Sequence, residues 1–273
     1  MSRTEPAVRV GAVAYDAKAV PIWELMREYF AEAGVPTDYV LYANYEAQVD
    51  ALFAKQIDIA WNTNLAYVRA EQRAGGRCLV LGMRDTDLNF TTRLIARVGS
   101  GITSWADLRG KRLAIGSQDS AQAAIMPLAY LREAGLGADR DLEVIRFNTD
   151  VGKHGDTGTS ELDVLRALAE GRADAGAVGH TTWLRQVADA KVNTSVVQSV
   201  WTSPGYSHCN FTALPDFGAG LAAQWTTALL RMEYSNPRWR RLMDLEGLTA
   251  WKPGDKSGYS AVVTAVTAVT ARG

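Results

Sequence analysis

QIDIAWNTNLAYVRAEQ, residues 56–72, sets a short apolar run ending in a Trp against a polar turn, Asn62-Thr63-Asn64, after which helix-period spacing begins. A brief run of this kind reads as a buried strand, and the segment after it as a helix. The turn between them has two possible uses. The first N–H groups of a helix lack an internal partner, and an Asn or Thr side chain can cap one. The same N–H groups, with the helix dipole behind them, can also receive an anion.

Working outward, VRVGAVAY (8–15) reads as a strand, IWELMREYFAEAG (22–34) as an amphipathic helix closed by Gly34, and TDYVLYA (37–43) as the next strand. A helix over about 45–54, the strand IDIAW, a helix over 64–73 and the strand RCLVLGM (77–83) follow. The order repeats from residue 90 through TTRLIARV, RLAIGS, QAAIMPLAYLREAG, LEVIRF, ADAGAV and TSVVQSV, and a further strand candidate, NFTAL, precedes helices near 217–231 and 237–245. Strands alternating with helices predict an α/β fold, each sheet mostly parallel with helices on both faces. Asp58 and Asp174 each open a short buried strand in a matching context, LFAKQIDIAW and LAEGRADAGAV, which favours two similar lobes with a ligand cleft between them. The expected division is 1–92 plus 201–273 for a discontinuous first lobe and 93–200 for the second. The Ala/Val/Thr tail YSAVVTAVTAVTARG reads as a packed terminal helix or strand.

Composition narrows the function. With 29 Lys plus Arg against 30 Asp plus Glu and no basic run interleaved with aromatics, nucleic acid is not an expected partner. Cys78 and Cys209 are the only cysteines and form neither a disulfide framework nor a paired-cysteine metal motif. No stretch approaches the roughly 18 apolar residues of a membrane span. Arg9 interrupts the first apolar run, so no signal-peptide core follows Met1. Two localisations stay open: cytoplasmic, if this start is native, or exported, if a leader was removed.

Four stretches in order, FAKQIDIAWNTNLAYVRAEQRAGG, ITSWADLRGKRLAIGSQDSAQAAIMPLAYL, KHGDTGTSELDVLRALAEGRADAGAV and GLTAWKPGDKSGYSAV, resemble the phosphate, phosphite and phosphonate-binding proteins of ABC uptake systems. The resemblance implies the two-lobed type II periplasmic-binding-protein fold, usually periplasmic or in the cell envelope, with an ABC permease as partner. It implies a small anionic ligand between the lobes, touched by Tyr15, Tyr45 and the turn Trp61, Asn62, Thr63, Asn64, with the ring of Phe90 over it and Thr91 and Thr92 as hinge residues or hydroxyl donors. Neutral donors of this kind hold an oxyanion without a buried counter-charge. The family's Ser/Thr-rich turn becomes Ser120-Ala121-Gln122 here, with Ser117 and Gln122 as substitutes for the lost hydroxyls. His154 matches a family histidine on the oxyanion. The carboxylates that hold an aminoalkyl tail fall near Thr181 or Thr182 and near Cys209, so that specificity does not carry over.

His154, His180, His208 and Cys209 are first-choice metal-ligand types, but their spacing matches no local metal motif. No metal and no cofactor is therefore expected, and His208 and Cys209 are candidate ligand contacts. GKHGDTGTSEL (152–162) reads as a ligand-facing loop whose glycines let backbone N–H groups approach an anion, with Thr159 or Ser160 capping the next helix. The preferred reading is a non-enzymatic binding protein that closes on a small oxyanion, phosphonate-, phosphate- or carboxylate-like. The alternatives are a cytoplasmic lyase, decarboxylase or cofactor-biosynthesis enzyme using His154 and Cys209, and a soluble ligand sensor.

Overall fold

The computed structural model describes residues 7–270. Contacts divide the described residues into two units, one holding 7–88 with Ser207–Tyr259, the other Asn89–Tyr206 with 260–270. The terminal segment therefore parts from the expected division, which kept everything after 200 with the first lobe.

The first unit contains β1 (Val8–Val13), α1 (Ala19–Glu32), β2 (Thr37–Tyr42), α2 (Tyr45–Phe53), β3 (Ile59–Asn62), α3 (Asn64–Arg73) and β4 (Leu79–Arg84). The second opens with β5 (Thr92–Arg97), β6 (Arg112–Ile115), a π-helical turn at Ala121–Ile125 running into α4 (Met126–Glu133), β7 (Glu143–Arg146), α5 (Thr159–Ala169), β8 (Ala175–Gly179), α6 (His180–Ala188) and β9 (Val197–Thr202). The chain then returns to the first unit with β10 (Asn210–Ala213), α7 (Ala219–Leu230), α8 (Pro237–Glu246) and β11 (Trp251–Pro253), and ends on α9 (Ser260–Thr270) in the second.

Both sheets are mixed. The first has the order β11-β4-β10-β3-β1-β2 and the second β7-β6-β8-β5-β9. Within them β2-β1-β3 and β7-β6-β8 are parallel trios built from equivalent βαβ units. The antiparallel members β5 and β10 are the first strands after the chain passes from one unit to the other, and each pairs antiparallel with both neighbours.

The two aspartates that suggested a repeat perform one task twice. Asp58 takes the backbone N–H of Arg9 at 2.8 Å, and Asp174 that of Arg112 at 2.9 Å. Each also receives the same arginine's guanidinium, and each returns its own N–H to that arginine's carbonyl. The hydrogen bond from Arg112 holds the Asp174 carboxyl below its ordinary value against a smaller opposing effect of burial. An Asp at the start of the third strand thus ties it to the first strand of the trio.

Alternation along the strands builds the cores. In β3, Ile59 and Trp61 enter an aromatic-rich core while Asn62 faces the other way. Phe211 of β10 is the hub of that core, with ring centroids at 4.5 Å from Trp61, 4.8 Å from Trp225 and 5.5 Å from Trp251. The second core packs Ile95, Ala114, Val164, Leu168 and Val178. The ambiguous tail is a helix over Ser260–Thr270, its last residues, 271–273, lying outside the described residues. Val262, Ala265 and Val266 are buried at helical spacing, and Thr264 and Thr267 return their hydroxyls to carbonyls four residues back, so packing overrides the weak helix preference of Val and Thr.

Candidate functional site

The opening turn divides by residue. Thr63 is the N-cap of α3, its hydroxyl accepting from the Ala66 N–H at 3.2 Å. Asn62 is fully buried with both ends of its amide engaged: Oδ1 accepts from Gln48 Nε2 at 2.8 Å, and Nδ2 donates to Thr212 Oγ1 at 3.0 Å. The Thr212 hydroxyl donates to Asn210 Oδ1, and the Asn210 amide Nδ2 donates to the Tyr259 hydroxyl at 2.8 Å. Asn62 is therefore a link in an internal polar chain. The Trp61 ring lies in the core, with the Arg84 guanidinium 5.2 Å from its centroid. Asn64 is buried, its Nδ2 at 3.5 Å from the Ser207 carbonyl. Tyr45 is buried as the first residue of α2, beside the N-cap Asn44, and Tyr15 is half-buried with the Lys18 ammonium 5.6 Å from its ring.

His208 and Cys209 precede β10 in the first unit and meet Asp87, a residue that sequence reading passed over. Cys209 Sγ lies 3.0 Å from His208 Nδ1, which is 3.5 Å from Asp87 Oδ1. Arg84 forks onto both Asp87 oxygens, Nη2 to Oδ1 at 2.8 Å and Nε to Oδ2 at 2.9 Å, and reaches Glu246 through Nη1 at 3.2 Å. Burial pushes the Asp87 carboxyl up, but the Arg84 charge and hydrogen bonds from His208 and Arg84 outweigh it and leave the group lowered to about 2.

The second unit concentrates polar groups at the head of the helical segment 121–133. Ser120 is its N-cap, the hydroxyl accepting from the Ala123 N–H at 3.2 Å, and the π turn is of a kind that often marks functional positions. Ser117 accepts from the Asp150 N–H and donates to the Phe147 carbonyl, both at 3.3 Å, so its hydroxyl holds the neighbouring loop. Gln122 donates Nε2 to Glu161 at 3.1 Å, and Glu161 accepts the Gly179 N–H at 2.7 Å. Because a carboxylate can only accept, this pair fixes which end of the Gln122 amide faces it. Oε1 of Gln122 is then a buried acceptor, and among the described residues it has no hydrogen-bond partner; the same is true of Asp119 Oδ1 and Ser160 Oγ.

The loop that sequence reading turned toward the ligand packs on these groups. Gly155, at φ +84°, comes so close that a Cβ would meet Ser120 Oγ at 2.5 Å and Gln122 Nε2 at 2.9 Å. Its neighbour His154 is buried with φ +53°, a left-handed conformation that costs a residue bearing a Cβ. Phe90 bridges to Tyr206 through paired backbone hydrogen bonds, and its ring centroid is 4.5 Å from that of His180. Thr91 donates its N–H to His180 Nδ1 at 3.1 Å, and Thr92 hydrogen-bonds the Gln122 carbonyl at 3.0 Å. Thr181 is exposed on α6. His180 thus belongs to this unit, and His208 and Cys209 to the first. Asp119 and Glu161 were not foreseen; the only available signal was an acidic residue inside each Ser/Gly-rich stretch.

Residues 12–259 match the family described as ABC transporter, phosphonate, periplasmic substrate-binding protein. The chain belongs to that family. It is 23% identical over 229 residues to a probable ABC transporter phosphite binding protein, PhnD1, of Prochlorococcus marinus strain MIT 9301, covering 80% of this chain and 74% of the relative. The structure of PhnD1 with methylphosphonate superposes with a TM-score of 0.74 at 20% identity, over 97% of this chain and 98% of that one. XAC2383 of Xanthomonas citri, bound to ATP, gives 0.77 at 18% identity, over 98% and 99%. The α/β two-lobed fold of periplasmic binding proteins is thereby shown. Among the described residues, no helix is long and apolar enough to cross a membrane.

Proposed function

We propose that this substrate-binding protein takes a small oxyanion that carries a proton, of the phosphonate, phosphite or phosphate class, and delivers it to a membrane permease. The observation that supports this choice is the buried acceptor Gln122 Oε1 at the head of a helix. The helix dipole and first-turn N–H groups favour an anion there. The acceptor asks for a donor in return, and a monoprotonated phosphonate supplies both an anionic oxygen and a P–OH. A sulfonate or carboxylate at neutral pH has no such proton. Glu161, buried beside Gln122, further disfavours a dianion. His154, Ser120 and Ser160 are the proposed donors of the second unit, and Tyr15, Tyr45, Thr63, Asn64, Phe90 and Thr91 are further proposed ligand contacts. Methylphosphonate in the PhnD1 relative supports the class.

Calorimetric titration tests this reading. Methylphosphonate should bind one per chain and at least about tenfold more tightly than methanesulfonate, the cost of leaving a buried acceptor unpaired. Gln122→Met should narrow that ratio. Equal affinity for the two ligands in the wild-type protein, or no heat with methylphosphonate, would overturn it.

A further inference from the structure

The oxyanion reading makes no use of Asp87, His208 and Cys209, all buried within the first unit. One potential ligand atom from each residue lies within 4.8 Å of the other two. We propose that these three side chains form a binding site for a divalent cation of the zinc type.

Imidazole nitrogen, thiolate sulfur and carboxylate oxygen are zinc's ligand types. Ideal tetrahedral bond lengths set sulfur and nitrogen about 3.6 Å apart, and nitrogen and oxygen about 3.3 Å apart. The observed 3.0 Å from Sγ to Nδ1 and 3.5 Å from Nδ1 to Oδ1 differ from these by only a few tenths of an ångström. Small side-chain shifts open the space. The backbone framework is fixed without any metal: the Cys209 N–H donates to Asp87 Oδ1 at 3.1 Å, and the His208 N–H to the Asp87 carbonyl at 2.9 Å. Ligands held on a prepared frame lose little freedom on binding.

Arg84 is the obvious objection, since its cation already sits on Asp87. Its fork, however, also holds Asp87 Oδ2 and Glu246, so Oδ1 can turn to a metal while Arg84 keeps two carboxylate contacts. A ligating carboxylate whose second oxygen is held by a neighbour is the usual outer-shell arrangement around metals. Binding displaces the Cys209 thiol proton to solvent, so affinity falls as the medium is acidified.

Cobalt(II) titration of the reduced, chelator-treated full chain is the test, with zinc as competitor. One equivalent should produce a thiolate-to-cobalt charge-transfer band that zinc removes. Cys209→Ser, a one-atom exchange, should abolish the band, and His208→Gln, which removes a ligand nitrogen, should weaken binding at least about tenfold while the thiolate band remains at saturating cobalt. Cys78→Ser should change nothing; burial first, and Glu71 beside it, push that thiol up to about 12. Absence of the band in the wild-type chain, its survival in Cys209→Ser, or its loss in Cys78→Ser would each overturn the site. The wild-type titration decides without any variant, and none of these outcomes depends on whether an oxyanion binds.

Discussion

Asn62 and Thr63 show how much a single residue's role depends on what faces it. Both are short polar side chains in one turn, yet Thr63 caps a helix and Asn62 completes a buried chain running from Gln48 to Tyr259. Asn62→Ala takes from Gln48 Nε2 one of its two acceptors, the Trp61 carbonyl remaining, and from Thr212 Oγ1 its donor, so it should cost about 1–3 kcal/mol in urea unfolding. Methylphosphonate affinity should stay within about threefold of wild type once the protein is folded. A loss of affinity without a loss of stability would make Asn62 a ligand contact instead. His154 calls for the opposite experiment, because its backbone is left-handed. Glycine relieves that conformation while adding freedom to the unfolded chain, so His154→Gly should change stability by less than about 1 kcal/mol. If the imidazole grips the oxyanion, calorimetry should still show at least a tenfold loss of affinity. Undiminished binding would remove His154 from the site. These distinctions were not legible beforehand: a sequence names an amide or an imidazole but not whether its hydrogen bonds are already spent.

At the scale of elements, Asp87 and Arg84 join the end of β4 to the approach of β10 and the end of α8. Asp87 sits at about 2, below the ordinary 3.8, so its contribution is present above about pH 4 and is lost as pH falls toward 2. The shift corresponds to about 2 kcal/mol. Urea midpoints followed from pH 5 to pH 2 should drop more steeply for wild type than for Asp87→Asn; matching slopes would contradict this. Most elements were readable in advance because periodicity reports which side of a strand or helix is buried. The directions of β5 and β10 were not, since an antiparallel strand buried on both faces has the same apolar run as a parallel one. β11, three residues ending in Pro253, is too short to carry a pattern. Secondary structure of α9 was undecidable from Ala, Val and Thr alone and was settled by what it packs on: α4 and the π turn before it.

At the scale of the molecule, the repeated trio β2-β1-β3 and β7-β6-β8, each tied by an Asp–Arg pair, was visible in outline through Asp58 and Asp174. The family resemblance then supplied what periodicity could not, and the match over residues 12–259 establishes it. The account rests on the chain receiving a small phosphorus oxyanion and giving it up unchanged. Native mass spectrometry of the whole protein titrated with methylphosphonate measures this directly. The expected result is one ligand per chain, recovered chemically intact after denaturation; a chain that stays empty at millimolar ligand, or returns a different compound, would contradict the account.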